Sequence, residues 1–449
     1  MKHKYHISIT IALIFMSMSY SLAQNPLIND QFTADPSARV FGDKVYVYPS
    51  HDIIATEGKG RIGWFAMEDY HVFSSENLTD WTDHGMIVHQ NKVPWVKPES
   101  YSMWAPDCIE RNGKYYFYFP TFPEDTVTYG KGFRIGVAVA DQPEGPFTPE
   151  AHPIKGVRGI DPNVFIDKNG QAYLYWSAGD IYGAKLKENM LELDSEVVTL
   201  KDLPDEGLKE GPYVFERNGI YYLTYPHVEN KTERLEYAIS DNPLGPFEVT
   251  GVIMDESPTG CWTNHQSIIN FKDQWYLFYH HNDYSPDFDK ARSIRADSLF
   301  FNKDGTIKKV SPTLRGIGLT KATAKIQVDR YTHKSEKGTA LAFLDSLNTF
   351  KGWKILYNKA GAWVQYNSVE FEKKPLKSVM VRARSSKGGS LEIRSNELDG
   401  ALVAKIKVPP SEDWKETNSS LSKMEAGIHN LFIVAKDNNE IEIDWIKFD

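Results

Sequence analysis

The sequence predicts an all-β protein, with a five-bladed β-propeller over residues 24–318 followed by a β-sandwich (jelly-roll) domain over residues 319–449. Two patterns predict this fold class: a strand hairpin that recurs five times, and a run of short alternating strands after the last copy. The aromatic share of 13% supports it, because aromatic side chains are enriched in strands. No helix-length amphipathic pattern interrupts the recurring hairpins in the sequence.

The length, the net charge and the cysteine count limit the kinds of molecule that this protein could bind. The chain has 449 residues, enough for two or three domains, and its formal net charge is -9. We find no stripe of basic residues, so nucleic acid and anionic membrane surfaces are excluded as partners. The two cysteines, Cys108 and Cys261, are too few for a disulfide scaffold and are interpreted as buried thiols, with a single disulfide as the alternative.

The first 23 residues predict a cleavable export signal. A basic head, "MKHKYH", precedes the short apolar core "ISITIALIFMSM", and "SLA" before Gln24 is typical of a cleavage site. The apolar run is too short to span a bilayer, and no cysteine follows the cleavage site to carry a lipid. We therefore expect a periplasmic or secreted protein without membrane insertion.

Five copies of one hairpin predict the blades. Each copy has a short apolar strand, a turn such as Gly-Asp or Asn-Gly, and a second strand with alternating aromatics. The copies are "ADPSARVFGDKVYVYPS", "APDCIERNGKYYFYFP", "DPNVFIDKNGQAYLYWS", "EGPYVFERNGIYYLTYP" and "HQSIINFKDQWYLFYHH". Further strands follow in several units, as in "IGVAVADQPEGPFTP" and "LEYAISDNPLGPFEV". Units of about four strands, recurring every 50 to 70 residues or so, indicate a propeller.

The residue at the head of the first strand in each copy, about 11 or 12 positions before the second strand's aromatic, gives the candidate site. In a propeller the innermost strand of every blade lines the central channel, so these residues should converge at one end of it. They are Asp35, Ala105, Asp161, Glu210 and His265. An acid before proline is a common way to open a turn. Three acids at equivalent positions, however, repel one another and raise each other's pKa, which favours a chemical use.

The residue types favour acid and base catalysis or metal binding. The sequence has no nucleophilic Ser or Cys motif, no glycine-rich phosphate loop and no His-Glu-x-x-His helix. Carboxylates that face each other across an aromatic-lined channel suit glycoside hydrolysis, in which one acid protonates the leaving oxygen while the other activates water or attacks the sugar.

Five short motifs resemble glycoside hydrolase family 43 over about residues 25–318. They are the Asp-Pro-Ser at Asp35, "MWAPD", "GIDPNVF", "KEGPYVF" and "NHQSI". The resemblance implies an inverting enzyme with a five-bladed propeller that acts mainly on polymers containing arabinose and xylose. It also implies that Asp35 is the general base, that Glu210 is the general acid, and that Asp161 raises the pKa of the acid and orients it.

The same resemblance implies secondary roles around the channel. Trp104 is a candidate sugar platform, with packing between blades as the alternative, and Arg292 is a candidate sugar contact. His51 and Trp262 are expected to line the pocket. His265 matches an axial histidine that in relatives approaches a bound Ca²⁺, and a satisfied core histidine is the alternative. The implied reaction requires no cofactor, and a structural Ca²⁺ is left open because oxygen ligands are scarce near His265.

The C-terminal strands resemble carbohydrate-binding module family 6. The resemblance rests on "YNKAGAWVQYNSVEF" and "NEIEIDWIKFD". It implies a binding site at the loop end with two aromatics, here Tyr357 and Trp414, and an asparagine whose position holds Glu442. Losing that amide removes a group that both donates and accepts hydrogen bonds. The module is therefore expected either to bind sugar or to brace the propeller.

The leading hypothesis is an exported exo-acting α-L-arabinofuranosidase that trims arabinoxylan or arabinan, with β-xylosidase activity as a close alternative. An endo-arabinanase is a weaker alternative. A non-catalytic sugar-binding propeller would be expected to have lost one of the three acids. A retaining enzyme of the invertase type would carry "NDPNG" near the start, where this chain has "TADPSA".

Overall fold

The computed structural model describes residues 25–373, 375–422 and 424–449. The expected export signal (residues 1–23) lies outside these residues. Within them the all-β prediction is confirmed, because the regular elements are strands and three short 3₁₀ helices at Gln90–Lys92, Val328–Arg330 and Thr349–Lys351. In this described part, no helix is long and apolar enough to cross a membrane.

Five antiparallel sheets follow one another in the first two thirds of the chain. The first contains β1 (Phe32–Phe41), β2 (Lys44–Asp52), β3 (Asp69–Ser75) and β4 (Thr82–His89). The second contains β5 (Asp107–Arg111), β6 (Lys114–Thr121), β7 (Arg134–Ala140) and β8 (Thr148–Pro149). The third contains β9 (Ile160–Ile166), β10 (Ala172–Ser177), β11 (Ile181–Leu186) and β12 (Val198–Thr199). The fourth contains β13 (Tyr213–Arg217), β14 (Ile220–Val228), β15 (Glu233–Ser240) and β16 (Glu248–Met254), and the fifth contains β17 (Ser267–Phe271), β18 (Gln274–His281) and β19 (Ser293–Leu299).

Within each sheet the strands lie side by side in chain order, since every connection is a hairpin. The first hairpin of each sheet is the one that the sequence repeat predicts. Apolar clusters fill the spaces between neighbouring sheets, and one of them joins the fifth sheet to the first. That cluster packs Val45 and Val47 of β2 with Phe278 of β18 and Ile294 of β19. The first strands also touch in a cycle: β1 with β5, β5 with β9, β9 with β13, β13 with β17, and β17 with β1.

Two Asp-Pro pairs lie inside strands, and not in front of them as the sequence suggested. Asp35 belongs to β1 and Asp161 to β9, and in both strands the pairing register shifts at the Asp-Pro. Asp35 has a φ of 47° and Asp161 a φ of 56°, the left-handed region that aspartate tolerates better than most residues. A β-bulge of this kind bends the strand and redirects a side chain.

The C-terminal third forms two six-stranded sheets. Its strands are β20 (Thr320–Lys321), β21 (Ile326–Gln327), β22 (His333–Lys334), β23 (Thr339–Phe343), β24 (Trp353–Tyr357), β25 (Trp363–Phe371), β26 (Ser378–Ser385), β27 (Gly389–Ser395), β28 (Leu402–Val408), β29 (Ser411–Ser420), β30 (Gly427–Ala435) and β31 (Ile441–Phe448). One sheet has the order β20-β25-β30-β27-β28, with β22 also on β25, and the other has the order β23-β24-β31-β26-β29, with β21 also on β31. Both sheets contribute to one apolar core, in which Val364 and Ile433 meet Ile355 and Ile443.

Aromatic side chains join the two parts of the chain. Tyr284, which follows the fifth sheet's second strand, stacks on Trp353 of β24 with ring centroids 4.7 Å apart. Phe350 contacts both Tyr284 and Phe32 of β1, at 5.1 and 4.8 Å between centroids. Tyr284 is 2% exposed, so this contact is a buried one.

The cysteines match the preferred interpretation. Cys108 and Cys261 are both buried and free, so the structure has no disulfide between them. Burial raises the pKa of both thiols well above the usual range, which keeps them in the unreactive protonated form.

Candidate active site

A cavity of about 160 Å³ opens where the leading ends of the five first strands meet. This volume is many times the roughly 10–15 Å³ that a single water needs. Its walls bring together eight of the residues singled out in the sequence, which are Asp35, Trp104, Ala105, Asp161, Glu210, Trp262, His265 and Arg292. Apolar side chains form most of the remaining walls, among them the aromatic Trp64 and Phe65 of the loop between β2 and β3.

Asp35 is held as a carboxylate by three hydrogen-bond donors. Arg292 donates to both of its oxygens, with Nη1–Oδ1 and Nη2–Oδ2 distances of 2.8 and 3.2 Å. Ser50 Oγ donates to Oδ2 at 2.7 Å. Burial alone would raise the pKa of Asp35, but the charge of Arg292 and these hydrogen bonds outweigh it and lower the pKa to about 2. Asp35 is therefore ionised at any ordinary pH and can accept a proton.

Arg292 is positioned by Asp52, a residue that the sequence analysis missed. Asp52 Oδ2 accepts from Arg292 Nε and Oδ1 accepts from Nη2, both at 2.9 Å, and Oδ2 also accepts from the Arg292 backbone N–H. The guanidinium lies 4.9 Å from the ring centre of Phe65. Alternation along β2 could have identified Asp52, since it lies two residues beyond Ser50 and on the same face.

His51, between these two residues, does not line the cavity. The side chains of successive strand residues point to opposite faces, so Ser50 and Asp52 face the site while His51 faces away from it. Its Nδ1 lies 2.6 Å from Asp69 Oδ1 on the neighbouring strand β3. The expectation that His51 lines the pocket is therefore corrected: His51 is not among the lining residues, and the residue after it, Asp52, supports the site by holding Arg292.

His280 is a second missed residue beneath the base. It is fully buried, and its Nδ1 accepts the backbone N–H of Asp35 at 3.1 Å. Its Nε2 lies 3.1 Å from both the carbonyl and the hydroxyl oxygen of Thr263. Burial, together with the charge of Arg292, lowers the pKa of His280 well below its usual range. A neutral imidazole with its proton on Nε2 satisfies both contacts and fixes the backbone of Asp35.

Asp161 and Glu210 lie in surroundings that raise their pKa, whereas the surroundings of Asp35 lower its pKa. Asp161 Oδ2 accepts the N–H of Gly211, the residue after Glu210, at 3.0 Å. Burial and the charges of Glu210 and Asp35 raise the pKa of Asp161 well above its usual range. Burial also raises the pKa of Glu210, and the charge of Asp35 adds to this effect. The two groups therefore titrate as a pair that retains a proton where an isolated carboxyl would lose it.

Glu233, the first residue of β15, is a fourth acid that no sequence signal indicated. It is fully buried, and its Oε2 accepts the backbone N–H of Asn264 in the cavity wall at 2.6 Å. Its Oε1 has no hydrogen-bond donor among the described residues, and its carboxyl lies close enough to that of Glu210 for the two to share a proton. Burial, and then the charge of Glu210, raise the pKa of Glu233 well above its usual range. A protonated Glu233 thus links the candidate acid to the wall that carries His265.

The predicted aromatic residues lie in the walls of the cavity. Trp104 packs against Phe133 with centroids 4.5 Å apart, so it lines the cavity and also packs against a neighbouring aromatic side chain. Trp262 is 36% exposed, which leaves part of its ring free at the rim. Flat apolar faces around charged groups are suited to holding a sugar ring.

The candidate sugar contacts of the C-terminal module differ from the expectation. Tyr357 is fully buried in the shared core of the two sheets and cannot stack on a sugar. Trp414 of β29 is half-buried, between the guanidinium groups of Arg382 and Arg384, each 5.0 Å from its ring centre. Glu442 forms ion pairs with Lys354 and Arg384. The two aromatics therefore do not form one exposed platform.

A glycoside hydrolase needs one carboxylate that accepts a proton and one carboxyl group that donates a proton. This cavity, with aromatic side chains in its walls, holds both kinds of group. Comparison with protein families agrees with this class. Residues 23–307 match the family model "Glycosyl hydrolases family 43", and residues 332–449 match "Carbohydrate binding module (family 6)". The chain belongs to glycosyl hydrolase family 43.

Similar proteins extend over the first part or over most of the chain. Xylosidase/arabinosidase 43A of Humicola insolens is 36% identical over 340 residues, which cover 64% of this chain and 99% of the relative. An arabinoxylan arabinofuranohydrolase of Paenibacillus polymyxa is 26% identical and matches 91% of this chain and 71% of its own length. Among solved structures, a family 43 β-xylosidase/α-arabinofuranosidase from a compost metagenome, in complex with xylotriose and in a calcium-free form, has a TM-score of 0.58. It is 36% identical and covers 65% of this chain and 98% of its own.

The donors around His265 do not fit a directly coordinated calcium ion. Calcium takes six to eight oxygen ligands. Asp35, 3.9 Å from His265, is already paired with the cavity arginine. Asp107 is paired with Arg39. Gln266 Oε1, on the next residue, is a buried oxygen without a hydrogen-bond partner among the described residues. One imidazole and one amide oxygen are too few for calcium, and we derive no catalytic step through it.

Proposed function

We propose that this glycoside hydrolase is an exported, inverting exo-enzyme that removes α-L-arabinofuranosyl or β-xylosyl residues from xylan-type oligosaccharides and polysaccharides. One observation carries the proposal: carboxyl groups with opposite pKa shifts line one sugar-sized cavity. The relatives support the substrate class, since those named above are described as acting on xylosides, arabinosides or arabinoxylan.

In the proposed fold, the five sheets are the blades of a propeller and the two C-terminal sheets form a sandwich. The cycle of contacts among β1, β5, β9, β13 and β17 supports five blades around one axis. The common core of the C-terminal sheets supports face-to-face packing. In this arrangement, residues on remote parts of the chain reach the same end of the channel.

In the proposed mechanism, Asp35 removes a proton from a water molecule as its oxygen attacks the anomeric carbon. Glu210 gives its proton to the glycosidic oxygen while the bond between that oxygen and the anomeric carbon breaks. The products are a free sugar of inverted configuration and a shortened alcohol, and Glu210 is left ionised until it recovers a proton. Arg292 and Ser50 keep Asp35 ionised before the attack.

Asp161 contributes by raising the affinity of the acid for its proton. The raised pKa of Asp161 supports a role as a partner that shares a proton with the acid, in place of a permanently ionised neighbour. A proton shared between Asp161 and Glu210 is available when the leaving oxygen becomes basic. As the bond breaks, Asp161 and Glu210 are left with one more negative charge between them, next to the positive charge that develops on the sugar.

The test compares Glu210→Gln with Asp35→Asn on two kinds of substrate. On a xylo- or arabino-oligosaccharide, whose leaving group needs protonation, Glu210→Gln should lower kcat by about 10²–10⁴-fold. On an activated nitrophenyl glycoside, which leaves without a proton, Glu210→Gln should lower it far less, while Asp35→Asn should lower both equally.

Two further measurements belong to this test. Sugar binding by Glu210→Gln, measured by calorimetry, should remain close to that of the unmodified enzyme. NMR of the first product formed should show the inverted anomer. Retention of the anomeric configuration, or equal losses for Glu210→Gln on both substrates, would contradict the assigned roles.

A further inference from the structure

Three metal-ligating side chains meet on the first sheet, away from the cavity. His51 of β2, Asp69 and His71 of β3 place one ligand atom each within 4.8 Å of one another. The rings of His51 and His71 are 5.1 Å apart between centroids. Their side chains, and that of Asp69, are 13–20% exposed, so an ion can reach them from solvent without the fold opening.

The strand pairing explains why these three side chains meet. Ser50 of β2 lies opposite Tyr70 of β3, so His51 and Asp69 are the next residues along this ladder, on the opposite face from Ser50. His71 lies two residues beyond Asp69 and therefore shares its face of β3. Rigid neighbouring strands thus supply all three ligands, which reduces the entropy lost when an ion binds.

A fourth side chain orients one of the ligands. Asp83 of β4 places both carboxylate oxygens 3.1 Å from His71 Nδ1. Asp83 is itself held by the Gly85 N–H at 2.7 Å and by Gln31 at 3.2 Å. A proton on Nδ1 leaves the lone pair of His71 Nε2 free to bind an ion. Metal-binding histidines are typically oriented by a carboxylate in this manner.

The geometry points to a transition-metal site at His51, Asp69 and His71, with Zn²⁺ as the expected ion and Asp83 as its supporting carboxylate. Two imidazoles and one carboxylate suit zinc and other late first-row ions. Calcium and magnesium prefer all-oxygen sites and should bind poorly here. With three protein ligands, the fourth position of a tetrahedral zinc would be left to water.

The proposed metal site is joined directly to the cavity, because both chain neighbours of His51 position side chains in the cavity. Ser50, which donates to the base Asp35, directly precedes His51, and Asp52, which holds Arg292, directly follows it. An ion that bridges β2 and β3 would fix the strand segment that positions both groups. Binding should therefore stabilise the folded chain, because the ligands are brought together only in the native state.

The experiment is calorimetric titration of the untagged, chelator-treated full-length protein with zinc chloride. We expect one zinc per chain, and at least tenfold weaker binding in His51→Ala and in His71→Ala. Asp83→Asn should weaken binding about tenfold through loss of the supporting carboxylate. His84→Ala is the matched control, since this histidine lies on the same sheet and bonds to Ser74 Oγ. It should bind zinc as the unmodified protein does.

Thermal unfolding provides an independent measurement. Zinc should raise the melting temperature of the unmodified protein and of His84→Ala, and it should leave that of His71→Ala unchanged. If the unmodified protein takes up no zinc, or if His51→Ala and His71→Ala bind it as tightly, the cluster is a set of ordinary His–Asp pairs and the proposal is wrong. Calcium binding that His71→Ala abolishes would overturn the choice of ion.

Discussion

Asp35 and Asp161 show how environment assigns different tasks to the same residue type. Both precede proline, both lie at a bulge, and both line the same cavity. Asp35 faces Arg292 and keeps a pKa of about 2, whereas Asp161 is buried close to Glu210 and its pKa is raised. The position of one arginine thus separates the proton acceptor from the proton-holding pair.

Glu233 should set the alkaline limit of activity. Its hydrogen bond to Glu210 lowers the pKa of Glu210, against the larger upward effect of burial. Glu233→Leu removes that hydrogen bond, so the pKa of Glu210 should rise and Glu210 should stay protonated to higher pH. The alkaline limb of the kcat–pH profile should therefore move to higher pH, and kcat/KM should fall about tenfold because the Asn264 wall loses its anchor.

Glu233→Gln is the matched control for this experiment. Glutamine has nearly the same shape and can donate to Glu210 and accept from the Asn264 N–H, so its profile should stay close to that of the unmodified enzyme. Stopped assays across the pH range with one xylo- or arabino-oligosaccharide, whose leaving group needs protonation, measure both variants. An alkaline limb that moves to lower pH in Glu233→Leu would show that Glu233 acts as a repelling anion instead.

The sequence predicted the residues that head the repeats, but not their partners. Asp35, Asp161 and Glu210 could be found because each opens a copy of the hairpin, and equivalent positions in repeats converge. Asp52 and Glu233 lie on second and third strands, and their partners are more than 20 residues away in sequence. Nothing local marks such pairs, since only the packed sheets bring them together.

At the scale of the element, the bulge in β9 depends on a close backbone approach just before Asp161. Gly159 has a φ of 139°, and a Cβ there would lie 2.0 Å from the carbonyl oxygen of Ser177 on β10. The Ser177 oxygen cannot move away easily, because Ser177 pairs with Ile160, the residue that follows Gly159. The glycine thus allows the strand to bend where the acid enters the cavity.

Gly159→Ala should therefore destabilise the protein more than a glycine substitution elsewhere in the same hairpin. Gly170 is the matched control, since its φ is 83° but a Cβ there meets nothing within 4 Å. Gly170→Ala should cost about 1–2 kcal/mol of unfolding free energy from backbone strain alone. Gly159→Ala adds the steric clash, and its cost should reach about 2–4 kcal/mol. Urea unfolding measures both, and equal costs would show that the approach to Ser177 is not tight.

For the whole molecule, the repeats predicted the strands, but not the contact between the first two thirds of the chain and its C-terminal third. Alternating aromatics occur in every hairpin, and a glycine lies in the turn of the first four, so the strands could be recognised locally. Tyr284 lies in a loop, Phe350 in a short 3₁₀ helix and Trp353 at a strand end, and no repeat indicates their partners. Their contact favours the bracing role of the C-terminal module over sugar binding through Tyr357.

Bracing predicts that Trp353→Ala weakens the catalytic part of the chain as well as the module. The substitution removes a stack on Tyr284 and should cost about 3–5 kcal/mol, as large aromatic truncations in buried sites do. The temperature at which heating destroys half of the activity should fall by several degrees, while kcat at 25 °C stays unchanged. Trp414→Ala, on a half-buried face of the module, is the control and should leave this temperature close to its original value.

A double-mutant cycle with Tyr284→Ala should give a coupling of about 0.5–1.5 kcal/mol, because the two rings stabilise each other directly. If Trp353→Ala melts the module alone and activity survives heating as before, the module does not brace the enzyme.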